Sequence, residues 1–264
     1  MKRLLPLLLC LSLLVLGGCG GDSTVDVNTR AYGFSLGLDL DRLPDEILET
    51  SLQNIDESST DGDLTAVLSQ TVGDAMNLYT AGVITCPEGF PEDAVNHLPQ
   101  QVILSDANGP MTHPNSHVVV CPVEGEETVL AFLFYFGFDR EVFRGQEITL
   151  DIRDCLGYDF SFTWPVTNEG PIRYADVKDA EGNMVGTLNL STYALNVTLW
   201  GSPFESDNDF WRNIAMLDGN GGLLSNSQMS LSGSNSTLHL GFYQPRDPAI
   251  TKTVQIGPYT AELG

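Results

Sequence analysis

The chain reads as a mainly β, α+β protein: an N-terminal helical hairpin packed on an antiparallel β-sandwich or barrel-like domain. Three observations predict it. From Val83 onward, short runs rich in Val, Ile, Thr, Phe and Tyr recur between clusters of Gly, Pro, Asn and Asp. No helical pattern separates those runs, so the strands are expected to pair antiparallel rather than through crossovers. Before Val83, apolar residues fall at helical spacing in two stretches joined by a short connection.

The elements follow in order. Tyr32 to Leu40 alternates in part and suits a first strand. Pro44 is placed as a first-turn proline, and Asp45 and Glu46 complement the positive end of a helix dipole. Ile47, Leu48, Leu52 and Ile55 then form one apolar stripe, which DESSTDGD (56–63) interrupts. Thr60 or Asp61 can cap a second helix carrying Leu64, Val67, Leu68, Val72, Ala75, Met76 and Tyr79, with Gly82 as its stop.

Strands are predicted at 83–86, 101–105, 117–123, 128–138, 146–153, 157–164, 171–178, 184–191, 193–200, 211–217, 223–231, 236–243 and 251–257. The run 171–191 is a hairpin around Asp179-Ala180-Glu181-Gly182-Asn183, and Asp218 to Gly222 is a second turn. VLAFLFYFGF (129–138) is too short to span a bilayer and suits a buried strand. No internal repeat marks a solenoid or propeller.

The first residues are an address rather than a fold. Lys2 and Arg3 precede an apolar Leu4 to Leu16, and Leu16-Gly17-Gly18-Cys19 closes the segment. This ending resembles the lipobox of bacterial lipoproteins, a resemblance confined to the leader. It implies that Cys19 is lipidated and becomes the mature N-terminus, with Leu16, Gly17 and Gly18 as the recognised residues. The expected organisation is therefore 1–18 signal peptide, 19–31 tether, 32–124 helical hairpin plus a disulfide-containing β segment, and 125–264 sandwich. The membrane is the expected partner through the lipid on Cys19. Gly20 is not the aspartate that holds enterobacterial lipoproteins at the inner membrane, so the outer membrane of a two-membrane cell is preferred.

Charge excludes one class of partner. The chain carries 12 Lys+Arg against 35 Asp+Glu; Lys2 and Arg3 leave with the leader, so the remainder has 10 against 35, a net −25. Nucleic acid binding needs a cationic face and is not expected. The acidity has three readings: a solvated anionic surface, calcium sites, or a face for a basic partner. Calcium takes about six to eight oxygens, and Glu205, Asp207 and Asp209 in one loop are the best local set. Trp200, Phe204 and Trp211 flank that loop and could stack on sugar rings, although such aromatics more often build a core.

Catalytic patterns are weak. Gly33-Phe34-Ser35-Leu36-Gly37 matches the G-x-S-x-G nucleophile pattern but lacks the strand–turn–helix setting that exposes the serine. His113 and His117 have zinc spacing, yet Pro114 opposes the helix that would stack their rings, and His97 lies upstream. His239 alternates with leucines and is expected on the exposed face of a strand. Cys86 and Cys121 end similar apolar runs and are the preferred disulfide, with Cys121–Cys155 the alternative; an unbridged Cys155 would act as a small buried hydrophobe. The leading function is a non-catalytic envelope module that binds a ligand or an envelope protein. The alternatives are a calcium-dependent carbohydrate-binding or adhesion module, and a hydrolase acting through Ser35.

Overall fold

The computed structural model describes residues 44–91, 94, 99–111, 117–123, 126–138, 141–201, 213–224, 228–233, 236–242 and 245–264. Among the described residues there is one α-helix, α1 (Asp45–Ser51), followed by antiparallel strands and a short 3-10 turn at Pro248–Ile250. The first sheet has the order β1-β2-β3-β7-β6, with β1 Leu52–Asp61, β2 Leu64–Gly73, β3 Asn77–Thr85, β6 His117–Val123 and β7 Glu126–Gly137. The second has the order β5-β4-β8-β9, with β4 Gln101–Asp106, β5 Gly109–Pro110, β8 Glu147–Cys155 and β9 Tyr158–Pro165. Strands β10 to β18 form one nine-stranded sheet: β10 Ile172–Lys178, β11 Met184–Ser191, β12 Ala194–Leu199, β13 Ile214–Leu217, β14 Leu223–Leu224, β15 Gln228–Gly233, β16 Thr237–Phe242, β17 Thr253–Ile256 and β18 Tyr259–Glu262. Among the described residues, no helix is long and apolar enough to cross a membrane.

The first two sheets make a half-barrel around one core. Phe132, Phe134 and Phe136 of β7 face Leu150, Phe160, Phe162 and Trp164 of the second sheet. Side chains rather than a backbone ladder join β1 to β9. The Asp159 amide donates to Asp61 Oδ2 at 2.9 Å, the Ser161 amide to Ser59 Oγ at 3.1 Å, and Gln53 Nε2 to the Pro165 carbonyl at 2.7 Å. The nine-stranded sheet has its own core, built on Leu188, Leu190, Val197, Leu240, Val254 and Ile256. A third cluster lies on the other face of the first sheet, where Tyr79, Leu133 and Tyr135 meet Ile47 and Leu48 of α1 and Tyr193 from the β11–β12 corner. The predicted boundary at 124/125 separates β6 from β7, which pair from His117↔Tyr135 to Val123↔Glu126. The half-barrel core draws on residues from Leu64 to Val166 and the core of the nine-stranded sheet on residues from Val177 to Leu263.

The helical hairpin is a correction. Helix α1 forms where expected, with Pro44 at its N-cap and Asp45 and Glu46 in its first turn, but it ends at Ser51. Residues 64–73 are not a second helix but strand β2, paired with β1 across Gly62-Asp63. The cause is burial on both faces: Leu64, Ala66 and Leu68 enter the half-barrel core, while Val67 and Val72 pack on the α1 side. A strand with two dry faces has apolar residues at every spacing, so a helical stripe can be drawn through it by chance. The β-branched Thr65, Val67, Thr71 and Val72 favour the strand. Both predicted turns are present. Asp179 Oδ1 accepts from the Glu181 and Asn183 amides, and Asp218 Oδ1 from the Asn220 and Gly222 amides.

Close approach of β2, β3 and β7 depends on a missing side chain. A Cβ at Gly82 would lie 2.2 Å from the Val67 carbonyl oxygen and 2.3 Å from Phe132 Cζ. Gly82→Ala therefore overpacks the sheet and should lower the unfolding free energy by about 1–3 kcal/mol. Urea denaturation measures this; an unchanged midpoint would contradict the packing.

Candidate functional site

A cavity of about 380 Å³ opens at the end of the half-barrel, where three connections meet. Leu64 enters from the start of β2, Cys86 and Phe90 from the segment after β3, and Leu156 and Tyr158 from the β8–β9 turn. Asp154 stands at its exposed rim. The segment after β3 is held in place by its backbone: the Cys86 amide donates to the Thr128 carbonyl at 3.0 Å and the Phe90 amide to the Glu127 carbonyl at 3.1 Å. Tyr158 rests on the β1–β2 turn, where Gly62 has φ +54° and a Cβ would come within 2.7 Å of the ring.

The β8–β9 turn is strained toward this cavity. Cys155 pairs with Tyr158, leaving a two-residue loop of Leu156 (φ +58°) and Gly157 (φ +85°). Such a turn prefers Asn, Asp or Gly at its first position. A leucine there costs about 1–2 kcal/mol, and what it adds is an apolar wall. One step earlier, Ile152↔Phe160 is followed by Cys155↔Tyr158, a bulge that puts Asp154 at φ +50°. Asp159 anchors the bulge. It accepts from the Asp154 amide at 2.8 Å and from Arg153 Nη1 at 3.2 Å, and these contacts hold its carboxyl below the usual range.

A second polar cluster is buried between the half-barrel and the nine-stranded sheet. The Asn77 amide lies 3.0 Å from Asp74 Oδ1 and 3.1 Å from Ser191 Oγ with one arm, and 2.9 Å from the Tyr135 hydroxyl with the other. Tyr135 Oη is 2.8 Å from His239 Nε2, and His239 Nδ1 contacts Asn196 Oδ1. His239 is thus not on an exposed strand face; it is 7% exposed, because the nine-stranded sheet turns that face onto β7. Burial lowers its ring to about 4 and raises the Asp74 carboxyl. Serine, histidine and aspartate are all present; Ser191 contacts Asn77, the Asp74 carboxyl and the backbone of Tyr193 and Ala194, and His239 is held by Tyr135 and Asn196 instead. Among the described residues, Ser191 and His239 do not form the nucleophile–base pair of a serine–histidine site.

The predicted site residues fare unevenly. Cys19, Glu205, Asp207, Asp209, Phe204 and Trp211 lie outside the described residues, as do Ser35, His97 and His113. Trp200 is 58% exposed just after β12, whereas Trp164 is core. Among the described residues, no group of three or more His, Cys, Asp or Glu is placed to hold a metal. Cys86 and Cys121 are not bridged. They flank β7 two strand spacings apart, at least about 9–10 Å, and are offset along it, Cys86 beside Thr128 and Cys121 beside Ala131, beyond the reach of a disulfide of about 7 Å. They also face different cores, Cys86 the half-barrel and Cys121 the α1 side. Cys155 is buried, and desolvation, then the Asp154 charge, pushes its thiol up to about 11, so it is inert near neutrality. The cavity was missed from sequence. Its one local signal was Leu156-Gly157 between two alternating runs.

No family model matches this chain, and no curated protein matches it. A solved structure described as the crystal structure of the conserved domain protein from Bacillus anthracis aligns with 79% of this chain and 78% of its own, at 9% identity and a TM-score of 0.44. That likeness carries no argument about function.

Relief of turn strain gives a test of the cavity wall. Leu156→Asn restores a favoured turn residue and should leave stability within about 1 kcal/mol of the parent in urea denaturation. A loss above about 2 kcal/mol, as for ordinary core truncation, would mean that the leucine packs rather than strains.

Proposed function

We propose that this chain is a non-catalytic binding module of the cell envelope, tethered by lipid on Cys19, whose half-barrel takes a small, mainly apolar ligand. The supporting observation is the cavity of about 380 Å³, a size within the range of small-molecule sites, with carbon walls from Leu64, Phe90, Leu156 and Tyr158. The strain held at Leu156 supports the same reading, since a wall that costs stability is retained for something other than folding. Asp154 at the mouth and a net charge of −23 disfavour anions, so the ligand class is uncharged or cationic. Apolar contact dominates and a few rim polar groups orient the ligand. The outer membrane is the preferred location, and an envelope protein or a glycan could present the ligand.

Titration of the chain from Gly20 with the uncharged fluorophore N-phenyl-1-naphthylamine should give saturable enhancement. Tyr158→Ala and Leu156→Asn should each weaken it about tenfold or more; equal binding by all three proteins would place the probe elsewhere. The anchor is tested apart from the cavity. Cys19→Ala should move the protein from the membrane to the soluble fraction and remove the lipid mass, with no change in fluorophore binding.

A further inference from the structure

The cavity at the end of the half-barrel has two chemically different ends. Leu64 is buried within it, Phe90, Leu156 and Tyr158 are half-buried along its wall, and Asp154 and Gln100 stand exposed at its mouth. The carboxylate at the mouth is carried on the bulge of β8. Asp154 sits at φ +50°, and its amide donates to Asp159 Oδ1 at 2.8 Å. The adjoining cation is already engaged: Arg153 Nη1 lies 3.2 Å from Asp159 Oδ2, and Nη2 lies 3.3 Å from Asp151 Oδ1. Asp154 makes no ion pair among the described residues. The backbone does not demand its charge, because glycine and asparagine also take a positive φ and are neutral.

Each class of ligand meets these two ends differently. An anion is repelled at the mouth. An uncharged apolar ligand fills the wall but strips water from Asp154 without replacing it. A cation with an apolar body suits both ends: the body displaces water from Leu64 and Leu156, and the head offers N–H donors to the carboxylate. Phe90 and Tyr158 supply aromatic surface, which attracts an ammonium as well as an alkyl chain. The Gln100 backbone amide donates to the Arg153 carbonyl at 3.1 Å, which sets this residue beside the bulge. Its carboxamide oxygen is a second acceptor at the mouth.

Resting on the reading of this cavity as the binding site, we propose that its ligand is an amphiphilic organic monocation. It has an aromatic or alkyl body that lies against Leu64 and Leu156, and a primary ammonium that lies at Asp154. Affinity comes mainly from the body, while Asp154 selects the head. Because the mouth is open to water, the ion pair adds a modest preference rather than a large one. The acidity of the whole chain also concentrates cations near its surface, so the preference has to be read at Asp154 and not from cation binding alone.

The test is calorimetric titration of the full chain with three probes that share one body: 4-phenylbutylamine, 4-phenyl-1-butanol and 4-phenylbutyrate. The amine should bind about fivefold tighter than the alcohol, and the carboxylate more weakly than the alcohol. In Asp154→Asn the amine and the alcohol should bind within about twofold of one another, with the alcohol itself changed by less than about twofold. Asparagine suits the same backbone, so this variant keeps the bulge. Asp176→Asn removes an exposed charge from β10 and should keep the wild-type ratio. Raising NaCl from about 0.01 M to about 1 M should shrink the amine's advantage in wild type, a reading that needs no variant. An amine that binds no tighter than the alcohol overturns this proposal and leaves the apolar cavity standing, as does an advantage that persists in Asp154→Asn or in high salt. Failure of all three probes to bind overturns the cavity reading as well.

Discussion

From Leu130 to Gly137, strand β7 has no solvent face, and much of the described structure depends on that. Its even-numbered residues Leu130, Phe132, Phe134 and Phe136 are at most 3% exposed and fill the half-barrel. Its odd-numbered Ala131, Leu133 and Tyr135 are equally buried toward α1 and the nine-stranded sheet. A strand buried on both sides adds apolar burial to two cores at once, and each large side chain is worth about 1.5–3 kcal/mol. It also forces its neighbours to conform. Gly82 must stay bare for Phe132 to lie against β3, and β6 must pair on the opposite edge.

A consequence of that burial is that polar groups on the α1 side cannot reach water. Tyr135 carries a hydroxyl into the junction, and Asp74, Asn77, Ser191, Asn196 and His239 satisfy it as one network. Networks of this kind are costly when incomplete and specifying when complete. Here the network adds directional bonds to the apolar contact that Tyr193 makes with Tyr79 and Tyr135 across the same junction. The apolar cavity is at the other extreme. It sits where the half-barrel ends, and its wall is a leucine in a backbone conformation that disfavours it.

The local chemistry of several elements was legible. The 171–191 hairpin and the Asp218 turn follow from an aspartate whose carboxylate accepts amides two and four residues on, with glycines at φ +84° and +78°. Pro44, Asp45 and Glu46 announced the start of α1. Strand β7 was legible because ten apolar residues in succession suit neither an amphipathic helix nor an exposed strand. Residues 64–79 misled for the same physical reason: apolar residues on both faces erase the period of two. The glycine-aspartate turn at 62–63 was the better guide.

The sequence by itself determined the β character and the turns, because each rests on residues adjacent in the chain. Only the tertiary structure decided which residues share a site. His239 is buried because a distant strand, β7, supplies a tyrosine 104 positions away. Cys86 and Cys121 stay apart because a third strand lies between them. The cavity draws on β2, the segment after β3 and the β8–β9 turn, and no local spacing encodes their meeting. Period and turn chemistry are short-range signals, whereas pairing order and the way sheets pack depend on how whole faces exclude water.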